Sequence, residues 1–442
     1  MKFKLIRTLL LTLLIPLATN VMQAQANNDS LLTSATLENI VDYTLKHQPA
    51  VQKSIIDEQI TRSQINTRLA DWYPQVDFNA NLQHNFQLQT TVFQGQVITL
   101  GNGNTSTGQV AYTQNILNSD LLLAATSAKN VRKSAAQTTI ANKIDAVATV
   151  SKAFYDVLLT QQQIKVADED IIRLQRSVKD ATSQYKNGIA DKTDYQRATI
   201  ALNNATALKK GDEESLKGKV QYLKSIMGYP PNAGLEVVYD SAKMESETAF
   251  DISQPLSYDN RIEYQLLQTQ KKLQVANLNY TRFAFLPILQ GFAAYNLNYF
   301  NNSISDLYNT NYPQSYIGLS LVFPIVHGGK RWMGIRQAKW QIKKSDLDIV
   351  NVQNNISAQY AQVQAAYNAS YAQYLALKDN LDLAKEVYKI IQLQYRSGVK
   401  TYLEVITAET DLRSAEINYF NALYQVLSSK IDLQRALGQI KY

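Results

Sequence analysis

Three histidines, His47, His84 and His327, are the side chains best suited to hold a transition metal or to move a proton near neutral pH, and they lie scattered along a chain of 442 residues. None has carboxylates at the spacing that metal ligation uses. Gly328-Gly329-Lys330 has the glycines and lysine of a phosphate loop, but Arg331 stands where Ser or Thr is required and the earlier spaced glycine is missing. The triplet reads instead as a strand-to-helix turn. Gly101-Asn102-Gly103 meets Ser106 where a dinucleotide loop needs a third glycine, and neither GxSxG nor HExxH occurs. Cysteine is absent, which removes disulfides, thiolate metal sites and a lipid-bearing cysteine. The 27 tyrosines invite a sugar-binding face, yet Tyr388 and Tyr419 fall at helical seam positions and read as packing. The inventory points away from an enzyme, and it implies neither cofactor nor metal.

The elements that position these residues are organised around a stretch that occurs twice. Tyr395-Arg396-Ser397-Gly398 matches Tyr185-Lys186-Asn187-Gly188, and at the same offset Leu412 matches Leu202, Ala415 matches Ala205 and Gly438 matches Gly228. Apolar residues at alternating spacings of three and four flank the second glycine: Leu377, Leu381, Ala384, Tyr388 and Ile391 before it, Val405, Ala408, Leu412, Ala415 and Tyr419 after it. That pattern is a coiled-coil seam. A glycine between two heptad runs supplies a left-handed residue that ends one helix and lets the next fold back. Each stretch is therefore expected to be the tip of a long helical hairpin. The long arms are predicted over 119–185 and 334–395, the first roughly 100 Å at ~1.5 Å per residue, and the return helices over 193–227 and 402–437.

Residues 1–26 read as a secretory signal, with Lys2, Lys4 and Arg7 ahead of the apolar run Leu9–Leu17 and small residues at Ala24 and Ala26. Its removal lowers the formal net charge from +7 by those three cations, too mild a surplus to argue for nucleic acid. The rest divides into a first repeat, 27–228, a linker, 229–255, with Pro230-Pro231, Gly234 and Pro255, and a second repeat, 256–442. Each repeat opens on a short helical segment that runs into a proline, Pro74 or Pro287. The period then changes from 3.6 to 2. Val76, Phe78, Ala80 and Leu82 alternate with Gln75, Asp77, Asn79 and Asn81, and Ile317, Leu319, Leu321 and Phe323 share one face further on. Two β-hairpins are predicted, 75–117 and 287–323, joined by loops over 90–107 and 301–315.

A polar face made of uncharged amides differs from the Lys/Glu mixture of a solvated sheet, and the strands have the ~9–11 residues that cross a bilayer when tilted. No apolar run beyond the signal is long enough for a membrane helix, so a spanning reading requires a closed barrel. Four strands cannot close one, since the smallest such barrels use about eight. The chain must pool strands with copies of itself. The competing reading is a periplasmic or surface coiled-coil interaction protein whose hairpins dock on a partner sheet.

In these residues the chain resembles the TolC family of outer-membrane efflux proteins. The segment Tyr395 to Ala408 carries the most specific part of the likeness, and Phe323-Pro324-Ile325-Val326-His327-Gly328-Gly329 is similar to the family's strand-to-helix junction. The first repeat departs there, with Gln114-Asn115-Ile116-Leu117 and no proline. The resemblance implies a mainly α protein with membrane β: a homotrimer whose four strands per protomer give a twelve-stranded barrel, continuous with a long periplasmic α-helical barrel. It implies a passive duct in the outer membrane of a Gram-negative bacterium. The partners so implied are outer-membrane lipid, a periplasmic adaptor and an inner-membrane transporter of the RND or ABC type. By the same resemblance Asp194, Tyr395, Lys400 and Glu404 are entrance-gate residues, with Thr407 where the family has a second acid. Lys186, Gly188, Gly398 and Lys400 mark the adaptor-docking tips, and Pro74, Pro287, Pro324, Gly328 and Gly329 the strand-helix junctions.

Overall fold

The computed structural model describes residue 32 and residues 34–189, 191–238 and 241–442; the expected signal lies outside the described residues. The first opening segment is two helices, α1 (Leu37–His47) and α2 (Pro49–Ala70), divided at Gln48 because Pro49 accepts only a helix start. Strands β1 (Gln75–His84), β2 (Gln89–Phe93), β3 (Gln96–Leu100) and β4 (Asn104–Leu117) precede the long helix α3 (Ser119–Lys186) and its return helix α4 (Lys192–Met227). A six-residue helix, α5 (Ser241–Ser246), lies in the linker. The second half repeats the order with α6 (Ile262–Phe283), β5 (Ile288–Asn301), β6 (Gln314–Val322), α7 (Lys330–Arg396) and α8 (Tyr402–Leu437).

Within the expected loop over 90–107 the chain forms an extra hairpin, β2 paired with β3. Gln94 and Gly95, both at positive φ, make the two-residue turn whose twist suits a hairpin. Consequently β1 stops at His84 rather than running on, and Asn85 donates its backbone N–H to Gly103.

The main sheet has the order β1-β4-β5-β6, antiparallel throughout. Its register places Asn79, Gln109, Asn296 and Gln314 opposite one another, one amide row across all four strands. On the opposite face Val76, Tyr112, Ala293 and Ile317 form the corresponding row. Phe78, Ile317, Leu319 and Leu321 on that face are exposed, Ile317 to 87%.

The core sits where α3 meets α8, around the fully buried Phe154, Leu158, Leu423, Leu427 and Leu433. Polar pairs continue along this antiparallel seam. Asp145 meets Arg435, Lys152 meets Asp432 at 2.6 Å, and Gln163 donates to Asn421. The linker is belted onto the seam, with Glu245 accepting from Lys378 and Tyr419 at 2.6 Å each and Tyr155 donating to Glu247 at 3.0 Å.

Beside each long helix, a return helix and an opening helix meet end to end. Gly228 ends α4 at φ +73, and a Cβ there would lie 2.5 Å from the His47 carbonyl oxygen, next to the start of α2. Gly438 ends α8 at φ +70 in the same way against the Asn260 backbone, next to the start of α6. Arg261, buried at this second joint, donates to the Ala436 carbonyl that α8 leaves unpaired.

Candidate functional site: the paired hairpin tips and the strand-helix junctions

Both tips close by the same local chemistry. The Gly188 N–H donates to the Tyr185 carbonyl and the Ile189 N–H to Gln184; at the second tip Gly398 donates to Tyr395 and Val399 to Gln394. The glycines take φ +73 and +76, the left-handed conformation that satisfies the last carbonyls of a helix. Each return helix then starts on a side-chain cap. Asp191 accepts from the Thr193 N–H, and Thr401 forms a capping box with Glu404.

The two tips are held together. Ala181 of α3, Ala198 of α4 and Tyr402 of α8 form one buried cluster, with Val178, Tyr195, Tyr395 and Ile406 packed around it. Tyr395 donates its hydroxyl to Gln184 across the tips at 3.1 Å. Burial raises the Tyr402 phenol above its usual range, so it stays neutral.

Lys400 lies 2.6 Å from Glu404 of its own helix. That hydrogen bond, with the Thr401 N–H, holds the Glu404 carboxyl below the usual carboxylate range. Within one protomer the carboxylate partner of Lys400 is thus Glu404, not Asp194. Asp194 sits in the first turn of α4, where its charge suits the positive helix end. Lys186 ends α3 on the same principle.

The junctions differ between the halves. Pro74 and Pro287 each stand immediately before a strand, β1 and β5. Gly328 and Gly329, at φ +52 and +78, turn the chain into α7, and Arg331 fastens the turn by donating to the Pro324 carbonyl at 2.8 Å. The Arg331 guanidinium also lies 5.1 Å over the Phe285 ring, just before Pro287. In the first half the turn takes one residue. Asn118, in extended backbone, ends β4 and accepts from the Asp120 N–H at 2.8 Å to start α3, while Ser119 donates to the Phe283 carbonyl.

Sequence reasoning missed Gln184, Tyr402 and a buried charge cluster behind the tips, Asp170 and Arg173 of α3 with Glu409, Arg413 and Glu416 of α8. A signal for the cluster existed. Glu409 and Glu416 are seven residues apart and directly follow the seam positions Ala408 and Ala415.

A model of the family described as outer membrane efflux protein matches residues 40–229 and 263–439. The outer membrane protein TolC of Vibrio cholerae is 24% identical over 298 residues, 66% of this chain and 67% of that protein. The outer membrane protein TolC of Escherichia coli is 20% identical over 424 residues, 93% of this chain and 84% of that one. The Neisseria gonorrhoeae MtrE outer membrane channel, in its open state, superposes with a TM-score of 0.72 at 17% identity, covering 91% of this chain and 88% of that structure.

Proposed function

The chain belongs to the outer membrane efflux protein family, and from that premise we propose how its parts divide the work of conduction. It is an exit duct in the outer membrane, of the kind that efflux and secretion systems use. The main sheet spans the membrane, with the Phe78, Ile317, Leu319 and Leu321 face towards lipid and the amide row Asn79, Gln109, Asn296, Gln314 towards water. That amide row is the observation that carries the reading. Four neutral hydrogen-bonding side chains at one level suit a water-filled lumen, whereas lipid would leave them unpaired.

Three copies close the barrel with twelve strands, and their helices form the periplasmic duct. The number of strands supports this assembly. With four alternating strands, β6 of one copy meets β1 of the next in antiparallel pairing, so identical copies join edge to edge without a break in the pattern. The tips, carrying Lys186, Gly188, Gly398 and Lys400, receive a periplasmic adaptor, through which an inner-membrane pump delivers cargo. Asp194, Tyr395, Lys400 and Glu404 form the gate. Lys400 exchanges its Glu404 partner for Asp194 of a neighbouring hairpin when the entrance closes, a swap between exposed pairs worth ~0–1 kcal/mol each. Three copies of Glu404 make a ring that attracts cations.

Planar-bilayer recordings of the purified protein test the whole reading. Discrete channels should appear, Asp194→Ala with Lys400→Ala should raise their conductance, and Glu404→Ala should lower cation selectivity. A protein that forms no channels would remove the duct. Unchanged conductance in the double variant would remove the gate alone.

A further inference from the structure

Behind the tips, α3 and α8 carry five charged side chains that conduction leaves without a role. Arg173 reaches Asp170 at 3.5 Å, Glu409 at 3.6 Å and Glu416 at 3.7 Å, and Arg413 lies 3.2 Å from Asp170. Three carboxylates share two guanidiniums. The side chains of Asp170 and Glu409 are 1% and 4% exposed, and neither Glu409 oxygen has a hydrogen-bond donor among the described residues, the Arg173 Nε standing off at 3.6 Å. Burying an ionised carboxylate with so little compensation is costly. Apart from Arg173, no cation among the described residues forms a salt bridge with Glu409. From α7 the Tyr388 ring lies 6.0 Å from the Arg173 guanidinium, and Lys385 acts on Glu416, as does Glu169 of α3 with opposite sign. From α4, Arg197 lines with Glu409, Asp170 and Arg413 a crevice of about 290 Å³. Both carboxyl oxygens of Glu409 are buried in the wall of that crevice.

We propose that Glu409, set among Asp170, Arg173, Arg413 and Glu416, is a proton-controlled clamp between the two hairpins of a protomer, tight when Glu409 carries a proton and weakened when it does not. With the proton on, two carboxylates face two guanidiniums and the cluster balances. With it off, three carboxylates share two guanidiniums, and Glu409 reaches Arg173 only at 3.6 Å while it is repelled by Asp170 inside the seam.

The direction follows from linkage. Burial, with the Asp170 charge, pushes the Glu409 carboxyl up to about 7 against the pull of Arg173 and Arg413. When the hairpins part, the carboxyl enters water and regains its ordinary value. The clamped form therefore binds the proton more tightly. Its advantage is complete below the ordinary carboxylate range, declines as pH rises towards about 7, and is lost above. Across that span the ratio of clamped to parted protomers falls roughly three hundredfold.

The absence of native cysteine makes the test direct. Ile189→Cys and Val399→Cys, both on exposed tip residues, carry spin labels in the full-length protein, with labelled chains diluted among unlabelled ones. The distance between the tips is read by pulsed electron resonance from about pH 5 to about pH 8.5. The expected result is one short distance in acid and a growing longer population above about pH 7, with Glu409→Gln keeping the short distance throughout. An infrared difference spectrum between the two pH limits should also show a protonated-carboxyl band that Glu409→Gln removes, and it reads the parent protein even if that variant assembles poorly. A distance that ignores pH in the parent protein, or the same pH response in Glu409→Gln, would overturn the clamp. Because the readout is a distance rather than a current, it stands apart from whether the duct conducts.

Discussion

Gly188 and Gly398 were legible as residues, because a left-handed glycine between two heptad runs has one local meaning, and both tips close as that meaning requires. Gly228 and Gly438 share the left-handed conformation, but their second role depends on backbone brought in from elsewhere, His47 and Asn260, which no local pattern announces. The two pairs should respond differently to alanine. At Gly188 and Gly398 a Cβ meets open space, so the cost is the left-handed backbone alone, ~1–2 kcal/mol. At Gly228 and Gly438 the Cβ would also overlap a carbonyl oxygen, at 2.5 and 2.4 Å, and the end-to-end joint must shift. Thermal unfolding of the four variants should rank Gly228→Ala and Gly438→Ala clearly below the tip variants. Equal midpoints would mean that the joints yield freely. Glu409 and its neighbours were legible only in part: the spacing of Glu409 and Glu416 marks one helix, but the cluster joins two helices far apart in the chain, and only the α3–α8 seam brings them together.

Among elements, the alternation in β1 and β6 specified two-faced strands, and the structure returns the same faces with an added hairpin, β2–β3, inside the expected loop. That hairpin escaped sequence reasoning because its signal is the Gln94-Gly95 turn, and Gln is an uncommon residue at positive φ. The amide row was also beyond reach. Each strand shows its own amides, but only the register sets Asn79, Gln109, Asn296 and Gln314 level. The strand faces make a graded prediction. Phe78→Arg and Leu321→Arg, on the apolar face, should each cost ~2–4 kcal/mol near the bilayer middle, while Asn79→Arg on the amide face should leave the yield of folded protein in outer-membrane vesicles near normal. Equal losses for all three would remove the assignment of faces. Gly318 adds a finer test, since a Cβ there would come 2.6 Å from the Phe292 ring on the neighbouring strand. Gly318→Ala should loosen the β5–β6 pair, seen as faster hydrogen exchange in β6.

For the whole molecule, a single protomer leaves much unfinished. β1 and β6 are free edges, which isolated proteins blunt or cover, and α7 exposes Trp332, Trp340, Leu347, Leu383 and Leu393 along its length. The proposed assembly would cover both features with further copies. A denaturing gel of unboiled sample should therefore show an oligomer migrating above the single chain to which boiling converts it; migration as a monomer before boiling would exclude a pooled barrel. The long helices also differ from their companions in continuity. α3 runs unbroken from one residue beyond β4 to the first tip, whereas the column beside it is two rods that merely abut at Gly228. A torque applied at the tip thus has one continuous shaft by which to reach the membrane, beside a shaft with a slip joint. The points where α4 meets α2 and α8 meets α6 are the places in these columns where the helical backbone is interrupted. An engineered disulfide locking the Gly228 joint would convert the column into a second rigid shaft and carry any rotation of the tips into the barrel.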